Sequence, residues 1–329
     1  MKKISIYRPS TVDEAIQILS QHGTEAGVYA GGTDLLIRLK NRLHQAPTYL
    51  VDIKTIDNLR YIKEDAQGGV EIGAATKLAE LADSRLLQDK YPMLVEAVNK
   101  ISSPELRNAS TLGGDLLQEV WCQYLRGGYS CWRNGGYLCY GAIGDNSYYH
   151  SAMGGRLCYA VYPGDAATAL IPFDARAKLA TPQGLKELSI EQLVPGDMMV
   201  DGRIQSHVVR FNEILTSVFI PPPKPGLRAS FEKLRPRGVW DFAMASLAIS
   251  LQLRGKTIDD ARVVFGGISG KPYRETTVES FLKGKTLSAE LGEQAISVAL
   301  ANAAPLKYNA TKIDMAKGLL ASGLARLNA

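Results

Sequence analysis

The sequence predicts a mixed fold of class α/β and α+β: two N-terminal α/β subdomains over residues 1–56 and 57–222, followed by a C-terminal α+β unit over residues 226–329. Three observations predict it. Short apolar strands alternate with amphipathic helices from the N-terminus onward. The run Pro221-Pro222-Pro223-Lys224-Pro225-Gly226 holds an extended conformation and cannot continue a sheet. Beyond it, strands come first and helices after. A chain of 329 residues accommodates two or three domains at ~100–200 residues each.

In chain order, Thr11 and Glu14 cap a helix whose apolar stripe is Ala15, Ile16, Ile18 and Leu19. Residues 27–30 read as a short buried strand, Gly31-Gly32 as a turn, 33–40 as a helix and 49–53 as a returning strand. Strands are expected at 60–63 and 70–74, helices at 78–87, 93–100 and 166–170, and strands at 175–181 and 214–220. After the prolines come strands at 229–234, 243–253 and 261–265, then helices at 277–282, 288–303 and 312–327. There is no solenoid repeat.

Composition narrows the function classes. Hydrophobic residues at 46% and charged residues at 22% exclude disordered and fibrous classes. The net charge of +5 is spread along the chain, not gathered in a basic run, so nucleic acid is not an expected partner. Arg8 and Pro9 break the N-terminus before a signal-peptide core develops. The longest apolar-leaning stretch, residues 242–253, falls short of the roughly 20 residues a bilayer needs, so no membrane span is expected. The expected location is cytoplasmic, and periplasmic only where a partner carries the export signal.

All four cysteines, Cys122, Cys131, Cys139 and Cys158, fall in one insert over residues 121–162, which also holds eight of the fifteen tyrosines and no lysine. Such a loop lacks sustained periodicity, and its aromatic content argues against disorder. Four thiolates on a metal centre would tie it down. The spacing matches neither ferredoxin runs nor zinc knuckles, and leaves open a four-cysteine zinc site, two disulfides or unrelated buried thiols. His22, His44, His150 and His207 are isolated and show no ligand spacing, so packing roles are expected. Trp121, Trp132 and the insert tyrosines are expected to shield a metal centre or pack an interface.

Two glycine pairs carry the other chemistry. Tyr29-Ala30-Gly31-Gly32-Thr33-Asp34 places unobstructed amides between a strand and a helix, where a phosphate can be received. Ser110-Thr111-Leu112-Gly113-Gly114-Asp115 repeats the mixture of hydroxyls and paired glycines. Two such facing turns are expected to grip a dinucleotide through main-chain N–H groups. Neither is G-x-G-x-x-G, and no Gly-Lys pair has the upstream glycine of a P-loop, which disfavours Rossmann NAD binding and ATPase activity.

These runs, with Leu35-Leu36, Leu106-Arg107-Asn108-Ala109, Pro163-Gly164-Asp165 and Phe231-Glu232-Lys233-Leu234-Arg235-Pro236-Arg237, resemble the FAD-binding medium subunit of the xanthine dehydrogenase (molybdenum hydroxylase) family over nearly the whole chain. The resemblance implies a two-subdomain FAD-binding domain of vanillyl-alcohol-oxidase (PCMH) type and a C-terminal flavoprotein domain. It implies FAD contacts at Tyr29, Ala30, Gly31, Gly32, Thr33, Asp34, Leu35, Ser110, Thr111, Gly113, Gly114 and Asp115. Asp165 would lie near the ribityl chain, and Lys233 would act as a cation beside the flavin. The family commonly has Asn at Asp115 and Ser at Gly164. Its subset resembling 4-hydroxybenzoyl-CoA reductase and periplasmic-type aldehyde oxidoreductases carries an insert here, which implies a [4Fe–4S] cluster on Cys122, Cys131, Cys139 and Cys158. The implied partners are a molybdopterin-binding large subunit and a [2Fe–2S] small subunit, in a heterotrimer able to dimerise. No catalytic side chain is expected, because cofactors carry the chemistry. The rival readings are a self-sufficient FAD oxidoreductase and a non-enzymatic, metal-stabilised assembly subunit.

Overall fold

A computed structural model describes residues 3–328. Strands β1 (Ser5–Tyr7), β2 (Ala26–Tyr29) and β3 (Tyr49–Asp52) form a parallel sheet in the order β1-β3-β2. Parallel strands need crossovers, here α1 (Val12–His22) and α2 (Leu35–Lys40). The Thr11 hydroxyl accepts from Glu14 N, and α1 buries Ala15, Ile16 and Leu19.

The next sheet is wholly antiparallel. It comprises β4 (Ile62–Glu64), β5 (Val70–Gly73), β6 (Arg176–Thr181), β7 (Gly184–Ser189) and, after the small ribbon β8 (Met198–Val200) and β9 (Arg203–Gln205), β10 (Ile214–Ile220), in the order β4-β5-β10-β6-β7. The α/β alternation expected over residues 57–222 therefore gives an α+β arrangement, because the strands pair through hairpins and long returns, without βαβ crossovers. Helices α3 (Leu78–Asp83), α4 (Arg85–Lys90), α5 (Pro92–Asn99), α6 (Pro104–Arg107) and α7 (Leu112–Leu116) follow β5. The single helix expected at 78–87 breaks at Ser84, whose extended backbone and hydroxyl cap α4 by accepting from Leu87 N. The insert holds only single turns, α8 (Gln123–Arg126), a 3-10 turn at Trp132–Asn134 and α9 (Tyr140–Ile143), before α10 (Asp165–Leu170); α11 (Ile190–Leu193) follows β7.

Past the prolines, β11 (Leu227–Leu234), β12 (Ala245–Arg254), β13 (Thr257–Gly266) and β14 (Tyr273–Arg274) form an antiparallel meander, with α12 (Thr276–Leu282), α13 (Leu291–Val298) and α14 (Thr311–Asn328) after them. Strand β12 is buried on both faces. Leu247, Ile249 and Leu251 join the core beneath α12–α14, while Ala248 joins Phe231 and Val264 in the core shared with α5 and α10. Phe231 is the largest apolar side chain that β11 contributes to that shared core, and its carbonyl accepts from Lys100 Nζ at 2.8 Å. Phe231→Ala is expected to cost about 3–5 kcal/mol in denaturant-induced unfolding, through lost transfer energy and a cavity; a loss under about 1 kcal/mol would contradict this packing. No helix among the described residues is long and apolar enough to cross a membrane.

Candidate functional site

After β2 the chain turns sharply into α2. The amides of Gly31, Gly32, Thr33 and Asp34 donate to no acceptor among the described residues, which leaves four consecutive N–H groups available to an anion. A Cβ at Gly31 would lie 2.2 Å from Ala109 O, so only glycine lets this turn press against the backbone before α7. There Thr33 Oγ1 and Ser110 Oγ meet at 2.9 Å. The Asp34 carboxylate accepts from Arg126 Nη2 at 2.6 Å and from Glu119 N at 3.1 Å, which ties the turn to the insert. Tyr29 lies beneath the Lys54 ammonium, 3.6 Å from the ring centroid.

The second glycine pair differs from expectation. It is not a turn but the first turn of α7, and its amides are already used. Gly113 N donates to Ala74 O at 2.9 Å, Leu112 N to Thr76 O at 3.0 Å, and Gly114 N to the Thr111 hydroxyl at 3.1 Å. Thr111 is an N-cap, and its glycines permit close packing on β5 instead of offering donors.

Two cavities meet at these elements. The first, about 260 Å³, is lined by Ala30, Gly31, Leu35, Thr111 and Gly113 together with Arg38, Arg203 and His207. The second, about 510 Å³, is lined by Ser110, Asp115, Asp165 and Lys233 and walled by Trp121, Tyr149, Trp240 and Phe242. Thr33, Asp34, Gly114 and Gln118 line both. The aromatic wall escapes sequence reasoning because it joins the insert to the loop after β11. Trp121 packs on Phe242 at 5.4 Å, and the Tyr149 hydroxyl donates to Asp241.

Asp165 opens α10 and is paired at 2.5 Å with Lys233, both buried. Lys233 also donates to Lys100 O at 3.1 Å, so the cation expected beside the flavin is paired with Asp165 in this structure. A Cβ at Gly164 would lie 2.4 Å from the Tyr162 hydroxyl, so no larger residue fits there without a shift. Asp115 accepts from Ala166 N at 3.1 Å and Gln118 Nε2 at 2.9 Å, which supplies the donors a carboxylate needs at this position.

Burial, then the neighbouring Asp165 charge, pushes the Asp115 carboxyl up to about 7. Between the ordinary carboxylate range and pH ~7, the folded chain retains a proton that the unfolded chain has lost. Its stabilising contribution is therefore full below about pH 4 and fades as pH rises through about 7. Asp115→Asn is expected to remove this decline from thermal unfolding measured between pH 4 and 8. An unchanged profile would show that Asp115 titrates normally.

The four cysteines are free thiols that line one small cavity of about 10 Å³, together with Tyr124, Trp132, Arg133 and Tyr140. Of the insert aromatics, Tyr124, Trp132 and Tyr140 line this cavity, whereas Trp121 and Tyr149 wall the second one. No three His, Cys, Asp or Glu side chains among the described residues are close enough to hold a single metal ion. Cys158 Sγ accepts from Arg133 Nε at 3.3 Å and from Ala160 N at 3.4 Å. Cys122 Sγ lies 3.4 Å from His150 Nε2. Burial pushes the thiols of Cys122 and Cys131 up and that of Cys158 to about 12, with the Arg133 guanidinium opposing the rise at Cys158. His150 is buried, which with nearby Lys312 lowers it to about 4 and keeps it neutral.

Residues 2–223 match the family model described as the FAD binding domain in molybdopterin dehydrogenase, and residues 229–324 match the CO dehydrogenase flavoprotein C-terminal domain. This architecture is that of a flavoprotein subunit of the molybdopterin dehydrogenases. Within that class, the chain belongs to the family of FAD-binding medium subunits of the xanthine dehydrogenase and carbon monoxide dehydrogenase type. It is 31% identical to the aldehyde oxidoreductase FAD-binding subunit PaoB of Escherichia coli K12, covering 100% of this chain and 99% of that one. It is 28% identical to the carbon monoxide dehydrogenase medium chain of Hydrogenophaga pseudoflava, over 92% of this chain and 88% of that one. A solved structure of carbon monoxide dehydrogenase from Hydrogenophaga pseudoflava, lacking the Mo-pyranopterin moiety of its molybdenum cofactor, superposes with a TM-score of 0.78 at 25% identity, covering 99% and 97% of the two chains. These relatives are subunits of oxidoreductases.

Proposed function

We propose that the chain is the electron-transferring flavin subunit of a molybdenum hydroxylase-type complex, with FAD lying across the two cavities and a [4Fe–4S] cluster on Cys122, Cys131, Cys139 and Cys158. The observation that carries the flavin placement is the junction at Thr33, Asp34, Gly114 and Gln118, where two cavities meet beside four unengaged amides. The donor set of the second site suits a sulfur-ligated cluster: four thiols line one cavity, and N–H groups of Arg133 and Ala160 donate to Cys158. Its small volume means that the thiols move outward on loading.

Bound there, FAD supplies interchange between paired and single electrons, and the cluster supplies one-electron relay. The chain's own residues position and insulate. The amides at 31–34 bind phosphate oxygens, and whichever of the paired Thr33 and Ser110 hydroxyls is not donating to the other donates beside them. Trp121, Tyr149, Trp240 and Phe242 exclude water from the second cavity. Asp165 and Lys233 border it as a neutral pair. Trp121 precedes the ligand Cys122 directly, so the wall of one cavity is covalently joined to the other site.

The substrate site is assigned to partner chains carrying a molybdenum cofactor and a [2Fe–2S] centre, a reading supported by relatives named as medium chains and by a molybdenum cofactor named for one of them. Affinity capture of the tagged chain from its own cells tests this. Two companions, one bearing molybdopterin, are expected. Full substrate turnover by the isolated chain would instead establish a self-sufficient oxidoreductase.

A further inference from the structure

Arg133 is 2% exposed, and all five of its N–H groups have acceptors. Nε donates to Cys158 Sγ at 3.3 Å, Nη1 to Glu119 Oε1 at 2.6 Å and Ile204 O at 3.3 Å, and Nη2 to Asp197 and to Ser206 Oγ at 3.0 Å. These acceptors come from three places. Cys158 belongs to the thiol cavity. Glu119 donates its backbone N–H to Asp34, at the glycine turn. Asp197, Ile204 and Ser206 lie in or beside the β8–β9 ribbon, whose Val200, Arg203 and Gln205 line the first cavity. One buried cation therefore spans from the thiols to two walls of the flavin cleft. The thiol cavity has about the room of one water, so loading it requires the four thiols to move apart, and one of the four, Cys158, carries the Arg133 Nε contact.

We propose that Arg133 is a positioning residue that couples the two cofactor sites, so that cluster-loaded protein retains FAD more tightly and FAD in turn retards loss of the cluster. The inference rests on the cluster reading above. A planar fork suits this role, because its donors are fixed relative to one another and movement at one acceptor is felt at the others. Linkage makes the effect reciprocal in the binding free energies: the contacts that favour FAD in the loaded protein favour the cluster in the FAD-bound protein.

The test measures FAD dissociation constants by flavin fluorescence on the full chain, cluster-loaded and anaerobically stripped by chelator, with iron and sulfide assayed in every sample. Stripping the wild type is expected to weaken FAD binding on the order of tenfold. Saturating FAD should raise the iron and sulfide retained after a fixed exposure to chelator. In Arg133→Gln, loaded protein should bind FAD as stripped wild type does, with less than about twofold further change on stripping. Arg133→Lys keeps the charge without the fork and should show reduced coupling, as should Asp197→Asn, so the test survives failure of one variant to fold or load. Equal FAD affinity in loaded and stripped wild type overturns the coupling while leaving the cluster in place. Full coupling in the folded variants removes Arg133 from the role. Wild type devoid of iron and sulfide overturns the cluster reading itself, and the coupling with it.

Discussion

Gly31→Ala is expected to weaken FAD binding by about one to two orders of magnitude. The added Cβ would sit 2.2 Å from Ala109 O, 2.8 Å from Ala109 C and 2.9 Å from Ser110 Cα, all backbone atoms with no rotamer to relieve the clash. The turn must withdraw from Ser110, which breaks the Thr33–Ser110 contact and re-aims the four free amides. Overpacking of this kind costs about 1–3 kcal/mol, or roughly five- to 150-fold in affinity where the strain falls on the flavin-binding form of the turn. Gly318→Ala, in α14 with nothing within 4 Å of the new Cβ, should keep its flavin and serve as the control. Equilibrium dialysis against FAD checks both. Stoichiometric flavin in Gly31→Ala would remove the 31–34 turn from the site.

Cys139→Ser is expected to abolish cluster assembly, because a serine hydroxyl is a poor substitute for thiolate on iron. Iron and sulfide should fall from about four each per chain to background. Arg133 and the Asn309 and Lys312 contacts to His150 O hold parts of the insert in place without a bound centre, but the turns that carry Cys131 and Cys139 are single and short, so the centre should contribute most of their order. Limited proteolysis should then cut within 121–162 in the variant and spare the loaded wild type. FAD is expected to bind more weakly without being lost, since its amides lie elsewhere. Unchanged iron in the variant would exclude Cys139 as a ligand.

What can be read from the sequence follows from local chemistry. The Thr11 cap, the Gly31-Gly32 turn and the buried strands at β5 and β10 all announce themselves through residues within a few positions of one another. The insert is legible because its composition departs so sharply from the rest. Strands β1, β7, β8 and β9 are not, being short or largely exposed and so lacking a full apolar alternation. The Gly113-Gly114 pair looks like its predecessor, yet Ala74 and Thr76 on the neighbouring chain segment take the amides that the sequence suggests are free. Lys233 is visible as a cation, but its pairing with Asp165 is not, and that pairing cancels the charge. Arg133 carries no signal at all, since its acceptors lie up to 73 positions away. Contacts made at such separation decide most of what is specific about this site.

The most direct measurement is cofactor analysis of the chain purified without oxygen: flavin released by heat, acid-labile sulfide, and iron and zinc by mass spectrometry, with the visible spectrum alongside. One FAD with about four iron and four sulfide per chain, giving flavin bands on a broad charge-transfer shoulder, is the expected result. A colourless chain, or one that holds zinc and no sulfide, would contradict it.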